Sequence, residues 1–143
     1  MIRAVSVHWN EGLAIGVASI DAQHRELFDR VARFEGALER ADTTAIADAL
    51  DFLRSYAAVH FGDEEGLMRE GGFPAQDEHR AEHREFTARL DALVREHREK
   101  GASAFLGLRT RNWIVVWLLD HVGVRDQALG RHLLAARPGL RSA

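Results

Sequence analysis

Cysteine is absent from the 143 residues of this chain. Its absence excludes disulfides, zinc ribbons, iron–sulfur clusters and a thiol nucleophile together. Proline is also scarce, with two residues, and no segment shows the sustained strand alternation between hairpin turns that marks a sheet. With 46% hydrophobic and 29% charged residues, the composition indicates a helical protein with a single core.

A surplus of positive charge is missing too, because 19 basic and 22 acidic residues give a formal net charge of −3. A nucleic-acid or anionic-membrane binder needs a basic surface, so neither class is expected. The longest apolar run, residues 113–119, is far shorter than the about 20 residues that cross a bilayer. His8, Asn10 and Glu11 interrupt the first segment, which therefore lacks the apolar core of a signal peptide. We expect a cytoplasmic protein without membrane insertion.

Apolar residues recur at helical spacing in four blocks, at about 20–40, 43–71, 75–100 and 103–134. The segment Asp42-Thr43-Thr44 is suited to cap the second helix and Ser103 the fourth. Gly71-Gly72 is suited to end the second helix, and Gly101 the third. We place Pro74 in the first turn of the third helix. Short connections between long helices make neighbours antiparallel, which predicts an all-α, up-down-up-down four-helix bundle.

The predicted organisation is one domain over residues 1–143. It consists of an N-terminal arm at 1–18, the bundle at 19–134 and a tail at 135–143. The arm carries Trp9, Leu13, Ile15 and Val17, and this apolar content predicts that it packs along the bundle.

Eight histidines are more than a bundle of this size needs, and five of them fall on the inward stripes of the four helices. Two carboxylates lie beside them, and the spacing is four residues both from His60 to Glu64 and from His79 to His83. Residues four apart are neighbours on one helical face, so each pair can present two ligands to one site. The predicted metal ligands are His24, His60, Glu64, His79, His83, His121 and Asp126.

Seven ligands are too many for one tetrahedral zinc ion. Imidazole suits iron, copper, nickel and zinc, whereas calcium and magnesium prefer oxygen ligands. The count fits two metal ions bridged by the two carboxylates, with the five histidines divided three and two. The two-histidine metal then keeps an open position for a small ligand.

The spacing between His121 and Asp126 breaks the pattern, because these two residues are five apart. In a regular α-helix, five residues separate side chains by about 140° in azimuth. Both reach one site if the helix widens locally, and Gly123 between them makes such a distortion easier. We therefore predict an irregularity near residues 121–126.

The segments that carry these ligands resemble the hemerythrin family in its bacterial single-domain form. The resemblance covers about residues 9–132. It rests on I-D-A-Q-H-R-E-L-F at 20–28, H-F-G-D-E-E-G-L-M at 60–68, H-x3-H-x2-F at 79–86 and W-L-x2-H-x4-D at 117–126.

The resemblance implies a four-helix bundle around an oxo- or hydroxo-bridged pair of non-haem iron ions. It implies that His79, His83 and His121 bind one iron, that His24 and His60 bind the other, and that Glu64 and Asp126 bridge them. Dioxygen would bind reversibly at the two-histidine iron, for storage or delivery and without enzymatic turnover. Leu118 and Trp117 match positions of the family's oxygen pocket, and we expect Phe61 and Phe86 to wall the same cavity.

Two other readings of the same site stay open. The protein is alternatively an oxygen or redox sensor read by a partner protein, or a di-iron oxidase or peroxidase. Such an enzyme needs a proton donor near the site, for which Tyr56 is the one candidate. We expect His8, His97 and His132 to be surface or helix-end residues, and Glu65 to be solvated.

Overall fold

The structure, a computed structural model, describes residues 7–101 and 103–136. Within them the chain is helical, which confirms the all-α prediction. After a short 3₁₀ turn at Glu11–Leu13, the elements are α1 Ala18–Glu39, α2 Thr43–Gly71, α3 Gln76–Lys100, α4 Ala104–Asp120, a π-helical segment His121–Arg125 and α5 Asp126–Ala136. Because α4, the π segment and α5 are continuous, they form the fourth rod of the bundle.

The predicted caps hold the helix ends. Asp42 accepts a hydrogen bond from the Ala45 amide at 3.0 Å, and Ser103 accepts one from the Leu106 amide at 3.0 Å. Gly72 ends α2 in the left-handed region, at φ 61° and ψ 41°. Pro74 lies before α3, whose N-cap is Ala75, so its predicted place in the first turn of that helix was wrong.

The core runs along the axis of the bundle as two apolar clusters. The larger packs α1, α2, α3 and α4 together around Phe28, Phe34, Leu53, Leu90 and Ile114. The smaller lies at one end, where Ile15, Val17, Ile20, Met68, Phe73, Leu129 and Leu133 meet. α1 packs against α2 and α4, and α3 packs against α2 and α4, which confirms the antiparallel four-helix bundle.

The described part of the arm, residues 7–17, lies against the bundle as predicted. Ile15 and Val17 are buried, and the Ile15 amide donates to Asp21 Oδ1 at 2.8 Å. At Gly130 the arm approaches so closely that a Cβ there would collide with the Ile15 carbonyl oxygen. The predicted division into arm, bundle and tail remains a prediction, since residues 1–6 and 137–143 lie outside the described part of the chain.

α4 carries the long apolar run found in the sequence, and it divides that run between two faces. Ile114, Val115 and Leu118 are buried, whereas Val116 and Leu119 face outward. In the described residues, no helix is both long and apolar enough to span a membrane.

Candidate metal centre

All seven predicted ligands meet inside the bundle. Their side chains are at most 3% exposed, although every one of them is polar or charged. α1 supplies His24, α2 supplies His60 and Glu64, and α3 supplies His79 and His83, while the fourth rod supplies the remaining two. Burial of this many ionisable groups is costly unless they compensate one another or bind an ion.

The seven side chains form two groups that share one carboxylate. The ligand atoms of Glu64, His79, His83 and His121 all lie within 4.8 Å of one another. The same limit holds for the group of His24, His60, Glu64 and Asp126. Glu64 thus faces both groups, as a bridging carboxylate must.

Asp126 also reaches both groups. Its Oδ2 lies 3.0 Å from His24 Nε2, and its Oδ1 lies 3.0 Å from His79 Nε2 and 3.2 Å from His121 Nε2. Three histidines thus lie in one group and two in the other, and both carboxylates reach across, while the assignment of these residues to two metal ions remains a prediction.

The contacts among these atoms fit ligands that converge on metal ions. His24 Nε2, Glu64 Oε2 and both oxygens of Asp126 are buried without a hydrogen-bond partner. Yet His24 Nε2 and Asp126 Oδ2 are only 3.0 Å apart, at angles unsuitable for a hydrogen bond. Ligands held at about 2.1 Å from one octahedral ion are separated by about 3.0 Å when adjacent. The imidazole and carboxylate donor set suits iron.

Outer hydrogen bonds orient three of the histidines. His60 Nδ1 lies 2.8 Å from an oxygen of Gln23, and His83 Nδ1 lies 2.8 Å from an oxygen of Glu65. His121 Nδ1 lies 3.3 Å from an oxygen of Glu82. An Nδ1–H that donates outward leaves the Nε2 lone pair directed at the centre, which is the arrangement of metal-bound histidine.

Sequence reasoning missed these three acceptors. Glu65, which we expected to be solvated, instead accepts from His83 and also lies 3.3 Å from Arg80. Each acceptor is next to a ligand in the sequence, since Gln23 precedes His24, Glu65 follows Glu64 and Glu82 precedes His83. That adjacency was the available signal.

The carboxylates make the centre attract positive charge. Burial would lower the pKa of His24, but the adjacent carboxylates of Asp126 and Glu64 outweigh it and raise that pKa to about 9. The same competition raises the pKa of His79 to about 9 and that of His121 to about 10. Burial likewise opposes ionisation of Glu64, yet the surrounding histidines hold its pKa well below the ordinary value. In the same way, the pKa of Asp126 is lowered.

The predicted irregularity in the fourth rod is confirmed. His121–Arg125 is a π-helical segment, and the Asp126 amide donates to the His121 carbonyl five residues back. The wider turn brings His121 and Asp126 onto one face, where both point inward.

Aromatic rings cover the three-histidine side of the centre. Phe61 stacks on His83 with ring centroids 3.9 Å apart, and Trp117 stacks on His121 at 4.3 Å. Phe86 packs behind Trp117, also at 4.3 Å, and Leu118 is buried in the same core cluster. Phe61 also contacts His60 on the two-histidine side, with ring centroids 5.7 Å apart. Among the described residues, Trp117 and Phe86 make no ring contact with that side. Their role as walls of an oxygen pocket remains a prediction.

The three remaining histidines lie away from the centre. His8 is exposed, and His132 Nε2 donates to the Gly71 carbonyl at 2.7 Å. His97 lies in the last turn of α3, as expected for a helix-end residue, but it is buried at 7% exposure and lies 3.1 Å from Thr110 Oγ1. Of the two positions expected for it, surface or helix end, His97 therefore has the second.

Comparison with known proteins agrees with this geometry. The family model described as the hemerythrin HHE cation binding domain matches residues 15–133. A bacteriohemerythrin of Stenotrophomonas maltophilia is 32% identical, with 84% of this chain and 76% of that protein covered. A myohemerythrin of Riftia pachyptila is 31% identical over 80% and 82% of the two chains. A crystal structure of wild-type hemerythrin superposes with a TM-score of 0.83 at 25% identity, covering 90% of this chain and 98% of that one.

Proposed function

Because this chain belongs to the hemerythrin family, we propose that it binds dioxygen reversibly at a di-iron centre, for storage or delivery. Members of this family are di-iron, oxygen-binding proteins rather than enzymes. The observation that carries the proposal is the sharing of Glu64 by two buried ligand groups, since a shared carboxylate is what two neighbouring metal ions require.

In the proposed centre, His79, His83 and His121 hold one iron, and His24 and His60 hold the other. Glu64 and Asp126 bridge the pair. Ferrous iron bound there would supply the electrons on which reversible dioxygen binding depends.

The protein's own contribution is to orient the ligands and to keep water away. Gln23, Glu65 and Glu82 fix the rotation of three imidazole rings through their Nδ1 atoms. The rings of Phe61 and Trp117 lie flat against His83 and His121, so that side of the centre is enclosed by apolar surface. Exclusion of water and protons favours release of oxygen in the form in which it was bound.

The position of Tyr56 gives no support to an oxidase or peroxidase. Its phenol is partly buried, and burial, together with the charge of Glu26, raises its pKa. The charged groups that influence it are Glu26, Arg30 and Asp63, on the outer faces of α1 and α2, and not the ligand carboxylates. A proton donor for enzymatic reduction of oxygen would have to face the centre.

An oxygen cycle tests the proposal. The protein is loaded with ferrous iron without air, oxygen is admitted, the visible spectrum is recorded, and the oxygen is then removed. We expect an absorption band that appears with oxygen and disappears without it over repeated cycles. A single irreversible conversion to ferric protein, with hydrogen peroxide released, would contradict reversible binding.

Removal of a ligand tests the assignment of residues. The His121→Ala variant is expected to lose iron and the oxygen-dependent band, while His8→Ala, which changes an exposed histidine, retains both. A His121→Ala variant with two iron ions per chain and an unchanged spectrum would refute the ligand set.

A further inference from the structure

One face of α4 exposes large apolar side chains to solvent. The exposed fractions are 74% for Phe105, 52% for Leu108, 68% for Val116 and 43% for Leu119. Asn112, midway along the helix, is exposed on the same face. We refer to these five residues as the α4 stripe. Two pairs of exposed apolar residues, one on each side of Asn112, therefore share one face of the helix, and exposed apolar surface of this kind occurs at protein interaction sites.

The spacing of the α4 stripe is symmetric about its centre. Relative to Asn112, the four apolar residues lie at −7, −4, +4 and +7. At 100° per residue, all five side chains fall within an arc of about 80°. The successive steps of three, four, four and three residues average the 3.5 residues of a helix–helix seam, and one asparagine in the middle can set its register.

We propose that the α4 stripe is the contact face of a homodimer in which two copies of α4 pack antiparallel about a two-fold axis at Asn112. In this arrangement Phe105 packs on Leu119 of the partner subunit, and Leu108 packs on Val116 of the partner subunit. The two Asn112 amides meet on the axis, where each can donate a hydrogen bond to the other. A two-fold interface requires a self-complementary patch, and the spacing of the stripe provides one.

Charges on and beside the helix suit this antiparallel arrangement. Asp120, exposed at the last position of α4, would lie beside the first turn of the partner's α4, where a helix dipole stabilises negative charge. In a parallel arrangement, two Asp120 side chains would lie side by side. Ion pairs of Arg109 with Glu96 and of Arg125 with Glu82 flank the stripe and provide the polar rim found around apolar interface cores.

The area of the stripe predicts a weak dimer. A large side chain carries on the order of 150–250 Å² of surface, so the four exposed apolar residues offer roughly 400 Å² per subunit. A standard stable interface buries about 800 Å² per partner, and weak or transient ones bury less. We therefore expect a dissociation constant between about 10 µM and about 1 mM.

Sedimentation equilibrium over this concentration range tests the proposal. The weight-average mass is expected to rise from 16.0 kDa toward twice that value. Val116→Lys places a charge in the apolar seam and is expected to weaken the dimer by about tenfold or more. Val59→Lys is the matched control, since Val59 is 60% exposed on α2, and it should leave the dimer unchanged. A monomer at every concentration, or equal dimer in both variants, would overturn the proposal.

Cross-linking tests the geometry, and the absence of native cysteine makes every introduced thiol diagnostic. Oxidation is expected to join two copies of the Asn112→Cys variant. Oxidation should not join two copies of the Phe105→Cys variant. In a mixture of the Phe105→Cys and Leu119→Cys variants it should join one to the other, because those positions oppose each other across the axis. Self-linking of Phe105→Cys would indicate parallel helices and refute the arrangement. Co-sedimentation of a strictly monomeric protein with phosphatidylcholine vesicles would also refute it, in favour of a lipid surface.

Discussion

The bundle buries histidine in two different surroundings. In the metal centre, His24, His79 and His121 lie beside two carboxylates, and their pKa values are raised to between about 9 and about 10. Farther along α3, His97 lies against the hydroxyl of Thr110, and burial lowers its pKa. The two surroundings are similarly closed to solvent, so the difference comes from the neighbours.

The difference shows what distinguishes a buried polar residue that belongs to the fold from one that belongs to a site. Thr110 donates its own proton to the Leu106 carbonyl at 2.8 Å, so it accepts from His97 Nε2–H, and a neutral imidazole meets this need. The metal centre instead collects lone pairs and negative charge, which protonated histidines offset in the metal-free protein and metal ions offset when bound. Its stability depends on a cation, whereas that of the His97 pair does not.

The largest effect expected from this contrast follows Glu64→Gln. The change removes the charge shared by both ligand groups, so we expect bound iron to fall from two ions per chain to at most one. In the metal-free protein, loss of one partner from a buried charged set should cost about 3–5 kcal/mol of unfolding free energy. Iron analysis and urea unfolding measure the two effects.

Glu85→Gln is the control for Glu64→Gln. Glu85 is exposed on α3, so its neutralisation should change neither iron content nor stability. If Glu64→Gln kept two iron ions, the shared carboxylate would not be the feature that separates the two surroundings.

pH should act in opposite directions on the two surroundings in the metal-free protein. The raised pKa values of His24, His79 and His121 contribute stability that is fully present below about pH 6.5, the unfolded pKa, and that is lost as the pH rises toward about 10. The lowered pKa of His97 has the opposite effect. Its contribution to the unfolding free energy is present above about pH 6.5 and is lost as the pH falls below that value.

Urea unfolding at several pH values checks this difference. Between about pH 7 and about pH 10 we expect a loss of about 3 kcal/mol or more, which bound metal should abolish. In His97→Gln the alkaline loss should persist, while its stability difference from the parent protein should shrink between about pH 7.5 and about pH 5.5. Stability that stays constant up to pH 10 would break the comparison.

A smaller effect is expected from Gln23→Leu. The change removes the oxygen that accepts from His60 Nδ1, so the ring loses its fixed orientation, and iron affinity should fall by about 10- to 100-fold. Competition with a chelator measures the affinity. Because the Gln23 amide also donates to Asp63 at 2.7 Å, the control is Gln23→Glu combined with Asp63→Asn, which retains both hydrogen bonds and should restore most of the binding. Equal loss in Gln23→Leu and in this double variant would point to packing instead.

The smallest effect is expected from Thr110→Val. It leaves His97 Nε2–H without its acceptor inside the core, at a cost of about 1–3 kcal/mol in unfolding free energy. Iron content should stay at two ions per chain, because His97 takes no part in the centre. Thr110→Ser keeps the hydroxyl and serves as the control. A loss of iron in Thr110→Val would show that the two surroundings are not independent.

The sequence was sufficient to predict the features that depend on spacing along one helix. The third helix was predicted over about 75–100 and is found at Gln76–Lys100, because periodicity and glycine define its ends. The inward direction of His60 and Glu64 and the distortion after His121 follow from the angle per residue in the same way.

The sequence was not sufficient to predict features that depend on how neighbouring helices are rotated against each other. Glu65 lies one residue from Glu64, and its contact with His83 requires α2 and α3 to meet at a particular register. The same holds for His97, whose burial depends on Thr110 of α4 filling the space beside it. Single-helix periodicity does not contain these relations.

The π segment has a consequence for chain length. His60 and Glu64 are four residues apart, as are His79 and His83, and His121 and Asp126 would follow the same rule if one residue between them were removed. The segment is therefore equivalent to a one-residue insertion, after which Asp126, Leu129 and Leu133 continue the inward face and Arg125 stays outside. A design that transfers this centre to a regular bundle must either carry the extra residue or shorten the spacing to four.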